Sequence, residues 1–419
     1  MNRNMTNKLL SLLLMLAFFS ACSNEDTPEQ EPPVSNQYLT GVTAEKHISK
    51  SEITEMVVNY AASQGIDLPE ALISGLLCDV DVAAITYTTT GVDGNDVTAS
   101  GVVAIPSGTT SYDHLLSIQH GTLDIEEAPS EQLFYYEMMP VVSKHIVVMA
   151  DYLGYGASRT ADRQHPYLHA KLTGTACADM IEAAREYLRY KEIAETDDDL
   201  ELLGYSQGGQ ATMATQLELE SRGLGSSLRK VWAGGGPYDL ENLLQAFLTE
   251  EGIPESYPRS GYLPYLIRGM AYGEQLNVSD ENLYAPVVIE KGLNQMFSTT
   301  PLSQWHAALG TDITQVVHPD FFAAPDFNGN ADVLAIINAL RKNSLVNAAT
   351  QPQTAFNLFH SPLDDFVPYS NAVSAHAIWG NSTLTDLTMP SHVLGGMEFI
   401  MRYMGLWEII GPMLTPTAN

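Results

Sequence analysis

The stretch Leu200–Ala214, LELLGYSQGGQATMA, opens as a buried apolar run and closes in a helix-forming segment, with Ser206 held between Gly204 and Gly208. The change of pattern at Ser206 predicts a strand that gives way at once to a helix. A side chain at such a turn sits on strained backbone, and glycine flanks it where a Cβ would collide with neighbouring main chain. The turn would also aim the first amides of the following helix at the reacting oxygen. Gly-x-Ser-x-Gly alone is a weak signal, with on the order of 0.1 chance matches expected in a chain of this length and composition. Its setting between strand and helix gives it weight.

On both sides of this stretch, short apolar runs alternate with helical segments. LLSIQ (115–119), HIVVMA (145–150), KVWAGGG (230–236) and AFNLFH (355–360) read as buried strands, and helices are predicted over 171–190 and 207–221. Such alternation implies an α/β chain with a mostly parallel sheet covered on both faces. Upstream, residues 83–106 read as a hairpin about Asp93, Gly94 and Asn95, and a helix is expected over 51–63 with Ser51 as N-cap. After Asp239 the strand rhythm stops for about a hundred residues, far longer than an ordinary connection. The expected organisation is a core in two parts, 51–240 and 351–419, with a helical cap over 241–350. Met270, Tyr272, Leu276, Met296, Phe297 and Trp305 give the cap adaptable apolar side chains, which suit either an acyl or aromatic substrate or an ordinary cap core.

The N-terminus reads as a processing signal. Arg3 and Lys8 precede an apolar run from Leu9 to Phe19, too short for a comfortable membrane span, and Ser20 and Ala21 lead into Cys22. These small residues resemble the lipobox of bacterial lipoproteins, in which the cysteine is lipidated and becomes the mature N-terminus. Residues 1–21 are therefore expected to be a signal peptide. Residues 22–50, opening with the acidic, proline-bearing SNEDTPEQEPPVSNQ, are expected to form a disordered tether. Acidic residues soon after the cysteine resemble the signal that sends some Gram-negative lipoproteins to the cell surface. An outer-membrane lipoprotein facing the surface or the periplasm is the expected localisation. Cys78 and Cys177 form a disulfide or stand as two buried thiols. The formal net charge of −30, from 50 acidic and 20 basic residues, argues against a nucleic-acid partner.

A serine hydroxyl needs a base, and the base needs an orienting carboxylate. Downstream, NLFHSPLDDFVPYSNA (357–372) is a strand and loop carrying Asp364 and Asp365, and LTMPSHVLGG (387–396) carries His392 among small residues. They follow the serine in the order acid, then histidine. Taken together, SIQHGT (117–122), DYLGYGAS (151–158), GYSQGG (204–209) and HSPLDDFVP (360–368) resemble the α/β-hydrolase superfamily, and within it the bacterial relatives of the secretory lipases. The resemblance covers 83–240 and 355–404.

That resemblance implies Ser206 as nucleophile, His392 as general base and Asp364 or Asp365 as orienter. The family's spacing to the proline, here Pro368, selects Asp364. It also implies an oxyanion hole from the amides of Gln207 and of Thr122, with Leu123 as the other choice for the second donor. Tyr152, Tyr155 and His120 are candidate pocket residues, with core packing the alternative. His165 and His169 have the spacing of a metal pair, but Pro166 disfavours a helix through both, and they are read as loop residues. In DFNGNAD (326–332) Asp326, Asn328, Asn330 and Asp332 resemble a calcium loop, yet Gly329 is misplaced and Ile337 stands where the closing Glu belongs. No metal or cofactor is expected. The implied function is hydrolysis of a small-molecule or lipid ester. A peptidase of the same fold and a non-catalytic surface binding lipoprotein are the alternatives.

Overall fold

The computed structural model describes residues 36–63, 70–124, 126–249, 259–292, 302–323 and 330–414. The signal segment, Cys22 and the start of the tether lie outside them. Nine strands form one sheet: β1 (Leu39–Ile48), β2 (Val80–Thr90), β3 (Asp96–Pro106), β4 (Ser111–Gln119), β5 (Ile146–Ala150), β6 (Ala194–Tyr205), β7 (Leu228–Gly234), β8 (Phe356–His360) and β9 (Ser382–Asp386). Their order is β1-β2-β3-β5-β4-β6-β7-β8-β9. The first three strands and the β3–β5 pair are antiparallel, and the sheet from β5 to β9 is parallel.

Side chains alternate across this sheet, so adjacent residues serve opposite cores. Leu115, Val148 and Leu202 pack with Met180, Ile181 and Leu188 of the Ala170–Tyr190 helix. Leu116, Val147 and Leu203 face the other way, onto Ile53 of the Lys50–Ser63 helix and Phe399 of the His392–Tyr403 helix. Burial on both faces explains why the central strands read as continuous apolar runs. Cys177 belongs to the first core and Cys78 borders the second, with the sheet between them, and both are free thiols.

Three expectations need correction. The tether expected over 22–50 overran a strand: β1 pairs with β2 from Leu39↔Tyr87 to Ile48↔Val80, and the Glu186 carboxylate accepts from the amides of Gln37, Tyr38 and Leu39. As an edge strand β1 is mostly exposed, so its sequence is polar and hides its pairing. The first helix is capped by Ser49 rather than Ser51, because Ser49 and Glu52 form a reciprocal capping box. His169 is no mere loop residue: its ring N-caps the Ala170–Tyr190 helix by accepting from the Leu172 amide.

Between β7 and β8 the described residues are helical, including Leu240–Thr249, Arg259–Gly273 and Ala331–Asn343. They enclose a core of their own, with Leu243, Phe247, Leu263, Met270, Trp305 and Leu340, which also takes in Tyr167, Leu168, Phe366 and Val367 from the sheet domain. Met296, Phe297, Asp326 and Asn328 lie outside the described residues. Asn330 caps the 331–343 helix, and Asp332 accepts from Ser279 and Asn282. Among the described residues no helix is long and apolar enough to cross a membrane.

After β4 the chain adds β5 on one side and β6 on the other, which makes the carboxyl ends of β4 and β6 the switch point of the sheet. Open α/β sheets place their ligand crevices there. Ser206 follows β6 directly, and the segment 120–124 follows β4.

Candidate active site

Ser206 has φ 62° and ψ −126°, a conformation that side-chain-bearing residues rarely adopt. The turn is pinned by the Ser206 amide donating to Gly234 O at 2.9 Å. Space dictates its glycines: a Cβ on Gly204 would lie 2.3 Å from Gly208 O, and one on Gly208 would lie 2.0 Å from Gln119 O. The Gln207–Ser221 helix starts at the next residue, so the Gln207 amide is a first-turn donor with no intrahelical acceptor.

His392 opens its own helix, N-capped by Ser391, at the far end of β9. Its Nε2 lies 2.8 Å from Ser206 Oγ and its Nδ1 lies 2.7 Å from Asp364 Oδ2. Since a carboxylate only accepts, Nδ1 carries the proton and Nε2 faces the serine hydroxyl as acceptor. Asp364 is held in turn: Oδ1 accepts from the amides of Phe366 and Val367, and His360 Nε2 lies 3.3 Å from Oδ2. Burial alone would raise this carboxyl, but the His392 and His360 rings outweigh it and hold Asp364 well below the usual carboxylate range. Asp365 instead accepts the main-chain amide of His392.

A cavity of about 250 Å³ opens over the Ser206–His392 pair, lined among others by Thr122, Leu123, Glu137, Tyr205, Tyr262 and Phe366. Among the described residues the Thr122 and Gln207 amides have no hydrogen-bond partner, and Thr122 Oγ1 is fixed by the Tyr167 hydroxyl at 2.8 Å. Gly121, one residue earlier, is engaged: its amide donates to Glu137 Oε1 at 2.9 Å. Burial pushes the Glu137 carboxyl up to about 7, against the opposing effect of that single hydrogen bond.

The other candidates fall behind the wall of the cavity. Positive φ at Tyr152 turns the chain back under the loop after β4. There Tyr152 donates to His120 O at 3.0 Å and Tyr155 donates to Leu123 O at 2.8 Å. The His120 ring stacks on Tyr152 with centroids 4.0 Å apart. These three residues buttress the loop and do not line the cavity. Burial lowers His120 to about 4 and His165 to about 3. His165 is occupied by protein on both nitrogens, Nδ1 donating to Leu153 O at 2.7 Å and Nε2 accepting from Gln207 Nε2 at 3.0 Å, which leaves no lone pair for a metal. Of the apolar cap residues expected from the sequence, Met270 and Trp305 sit in the cap core, while Tyr272 and Leu276 line a separate groove.

Glu137, Tyr205, Tyr262 and Phe366 were not picked out from the sequence. For Glu137 a signal existed, as the lone acid in the apolar run FYYEMMPVV (134–142). For the aromatic residues none did, because only the tertiary fold brings cap and core together.

No protein-family model matches the chain, and no curated protein sequence does either. Solved structures do resemble it. A Legionella pneumophila protein provisionally described as a hydrolase superposes with TM-score 0.73 at 21% identity, over 91% of this chain and 100% of that one. The rice cell wall degrading esterase LipA of Xanthomonas oryzae does so with TM-score 0.69 at 25% identity, over 88% and 97%. Candida antarctica lipase A gives TM-score 0.59 at 15% identity, over 90% and 83%. The chain has the α/β-hydrolase fold, and the likeness supports a hydrolase of that fold.

Proposed function

We propose that this protein is a serine hydrolase that cleaves carboxylic esters. The observation that carries the reading is the unbroken chain from Ser206 Oγ through His392 to Asp364, with contacts of 2.8 and 2.7 Å. His392 Nε2 takes the hydroxyl proton as Ser206 Oγ attacks the ester carbonyl, and Asp364 stabilises the imidazolium that forms. The Gln207 and Thr122 amides receive the negative charge that develops on the carbonyl oxygen, each such donor contributing on the order of 10² to 10³ in rate. His392 then gives its proton to the departing alcohol. A water attacking from the same side, again with His392 as base, frees the acid and restores Ser206. The residues for these steps need no metal or cofactor.

Ester rather than amide substrates are favoured by the likeness to the LipA esterase at 25% identity. A cavity of about 250 Å³ is at the small end for ligand sites, which favours short acyl chains. The proposal includes export and anchoring through a lipid on Cys22, which rests on the N-terminal sequence.

Purified mature protein and its Ser206→Ala variant, assayed on p-nitrophenyl esters from acetate to palmitate beside aminoacyl p-nitroanilides, test the reading. Turnover of short esters that vanishes in the variant supports it. Turnover of the anilides alone moves the assignment to a peptidase. A folded protein that turns over neither series and does not react with a fluorophosphonate is no serine hydrolase.

A further inference from the structure

Among the described residues eight carboxylates are buried. Asp151, Asp179, Glu186, Glu201, Glu218, Asp364 and Glu398 each have a hydrogen-bond donor or a cation on both oxygens. Glu137 differs from all of them. Its Oε1 accepts from the Gly121 amide, and that is the one hydrogen bond found for its carboxylate among the described residues. Glu137 is also the one buried carboxylate that lines the cavity over Ser206 and His392. The carboxyl stands close to the nucleophile, for a methyl placed on Gly121 would lie 3.3 Å from Glu137 Oε1 and 4.0 Å from Ser206 Cβ. A carboxyl oxygen at the wall of the cavity without a donor from the protein is free to bond a polar group that arrives from outside.

We propose that Oε2 of Glu137 recognises a hydroxyl group carried by the ester substrate close to its scissile bond. A hydroxyl both donates and accepts, so it matches the carboxylic acid as acceptor and the carboxylate as donor. An ammonium group matches only the ionised form, which burial disfavours. The preferred substrates are therefore hydroxylated esters, the class to which monoesters of polyols and of sugars belong. This rests on the ester-hydrolase reading above.

The test compares kcat/KM for two pairs of esters: ethyl 3-hydroxybutyrate with ethyl butyrate, for a hydroxyl on the acyl side, and 2-hydroxyethyl acetate with ethyl acetate, for one on the alcohol side. The wild type should favour the hydroxylated member of one pair by about tenfold or more, since a site built to bond a hydroxyl discriminates against its absence. Glu137→Met should erase that preference, lowering kcat/KM for the hydroxylated ester by about tenfold more than for its unsubstituted partner. Glu137→Gln, which keeps an acceptor for Gly121 and puts an N–H donor where Oε2 stood, should retain part of it. A wild type without preference in either pair overturns the proposal, and needs no variant to do so. Equal losses on both members in Glu137→Met also overturn it, leaving Glu137 as a prop for the Gly121 loop. If Glu137→Met does not fold, an undiminished preference in Glu137→Gln at every pH from 5 to 9 counts against it. Ethyl ester turnover that Ser206→Ala abolishes stands for the hydrolase whatever the preference, whereas absence of all turnover and of fluorophosphonate labelling removes both readings.

Discussion

The main-chain amide of His392 donates to Oδ1 of Asp365 at 2.8 Å, while Asp364 holds the ring of the same histidine through Nδ1. Neighbouring aspartates thus fix one residue at two points, and only Asp364 touches its imidazole ring, the proposed general base. Asp364→Asn should lower kcat by about 10⁴, the loss expected when the wrong tautomer is held. Asp365→Asn, which keeps an oxygen for the amide, should cost about tenfold or less. Steady-state rates on p-nitrophenyl butyrate check this, and the reverse ranking would reassign the orienting acid.

At Gly208 the limit is space rather than flexibility. An added Cβ would come within 2.0 Å of Gln119 O, at the end of the neighbouring strand, and that main chain cannot retreat without disturbing β4. Gly208→Ala should therefore destabilise the protein by at least about 2 kcal/mol. Gly204→Ala, which meets Gly208 O at 2.3 Å, should be of similar size. Urea unfolding of each variant measures it, and a normal midpoint would mean that the elbow is looser than described.

Buried titratable groups set opposing slopes in the dependence of stability on pH. His120 and His165 are depressed by burial to about 4 and about 3, so the unfolded chain takes up protons near 6.5 before the folded one does. Each costs about 1.4 kcal/mol per pH unit as the pH falls below 6.5. Glu137 has the other sign. Raised by burial from 4.5 to about 7, it contributes fully below 4.5 and loses that contribution as the pH rises to about 7. Glu137→Gln removes this opposing slope. On acidification from pH 6.5 to 4.5 it should lose about 1.4 kcal/mol per pH unit more than the wild type, read from urea midpoints along a pH series. Parallel curves would show that Glu137 titrates normally.

The proposed lipidation at Cys22 makes a prediction independent of the active site. In a Gram-negative host the full chain should incorporate radiolabelled palmitate and sediment with membranes, and Cys22→Ser should do neither. Esterase activity of the released Cys22→Ser protein should be unchanged, because the described domain begins after that segment. A soluble, unlabelled wild type would remove the anchor from the proposal.

The fold was legible in the sequence wherever burial was complete. β4 to β8 read as apolar runs because helices cover both faces, and Ser206 stood out because it lies just beyond a strand, whereas His392, read as a loop residue, and Asp364 were reached by their order after the serine and by the resemblance's spacing to Pro368. The edge strands β1 and β9 were not legible, since their half-exposed residues carry no run or clean alternation. Tyr152 and Tyr155 illustrate another limit. Their position after β5 was plain, but the positive φ at Tyr152 that turns them under the loop leaves no mark in the residue type. The cavity wall was the least accessible part, for Tyr205, Tyr262 and Phe366 come from three distant segments and meet only once the cap is seated.

The cap's core continues through Phe366 and Val367, whose amides grip Asp364, and through Tyr167, whose hydroxyl fixes Thr122. Cap and sheet domain consequently share cooperativity. In calorimetry the two should melt in a single transition with matching calorimetric and van't Hoff enthalpies. Mutations deep in the cap, such as Phe247→Ala, should then lower the melting temperature of the whole molecule and loosen the hold of Phe366 and Val367 on Asp364 before any unfolding is visible.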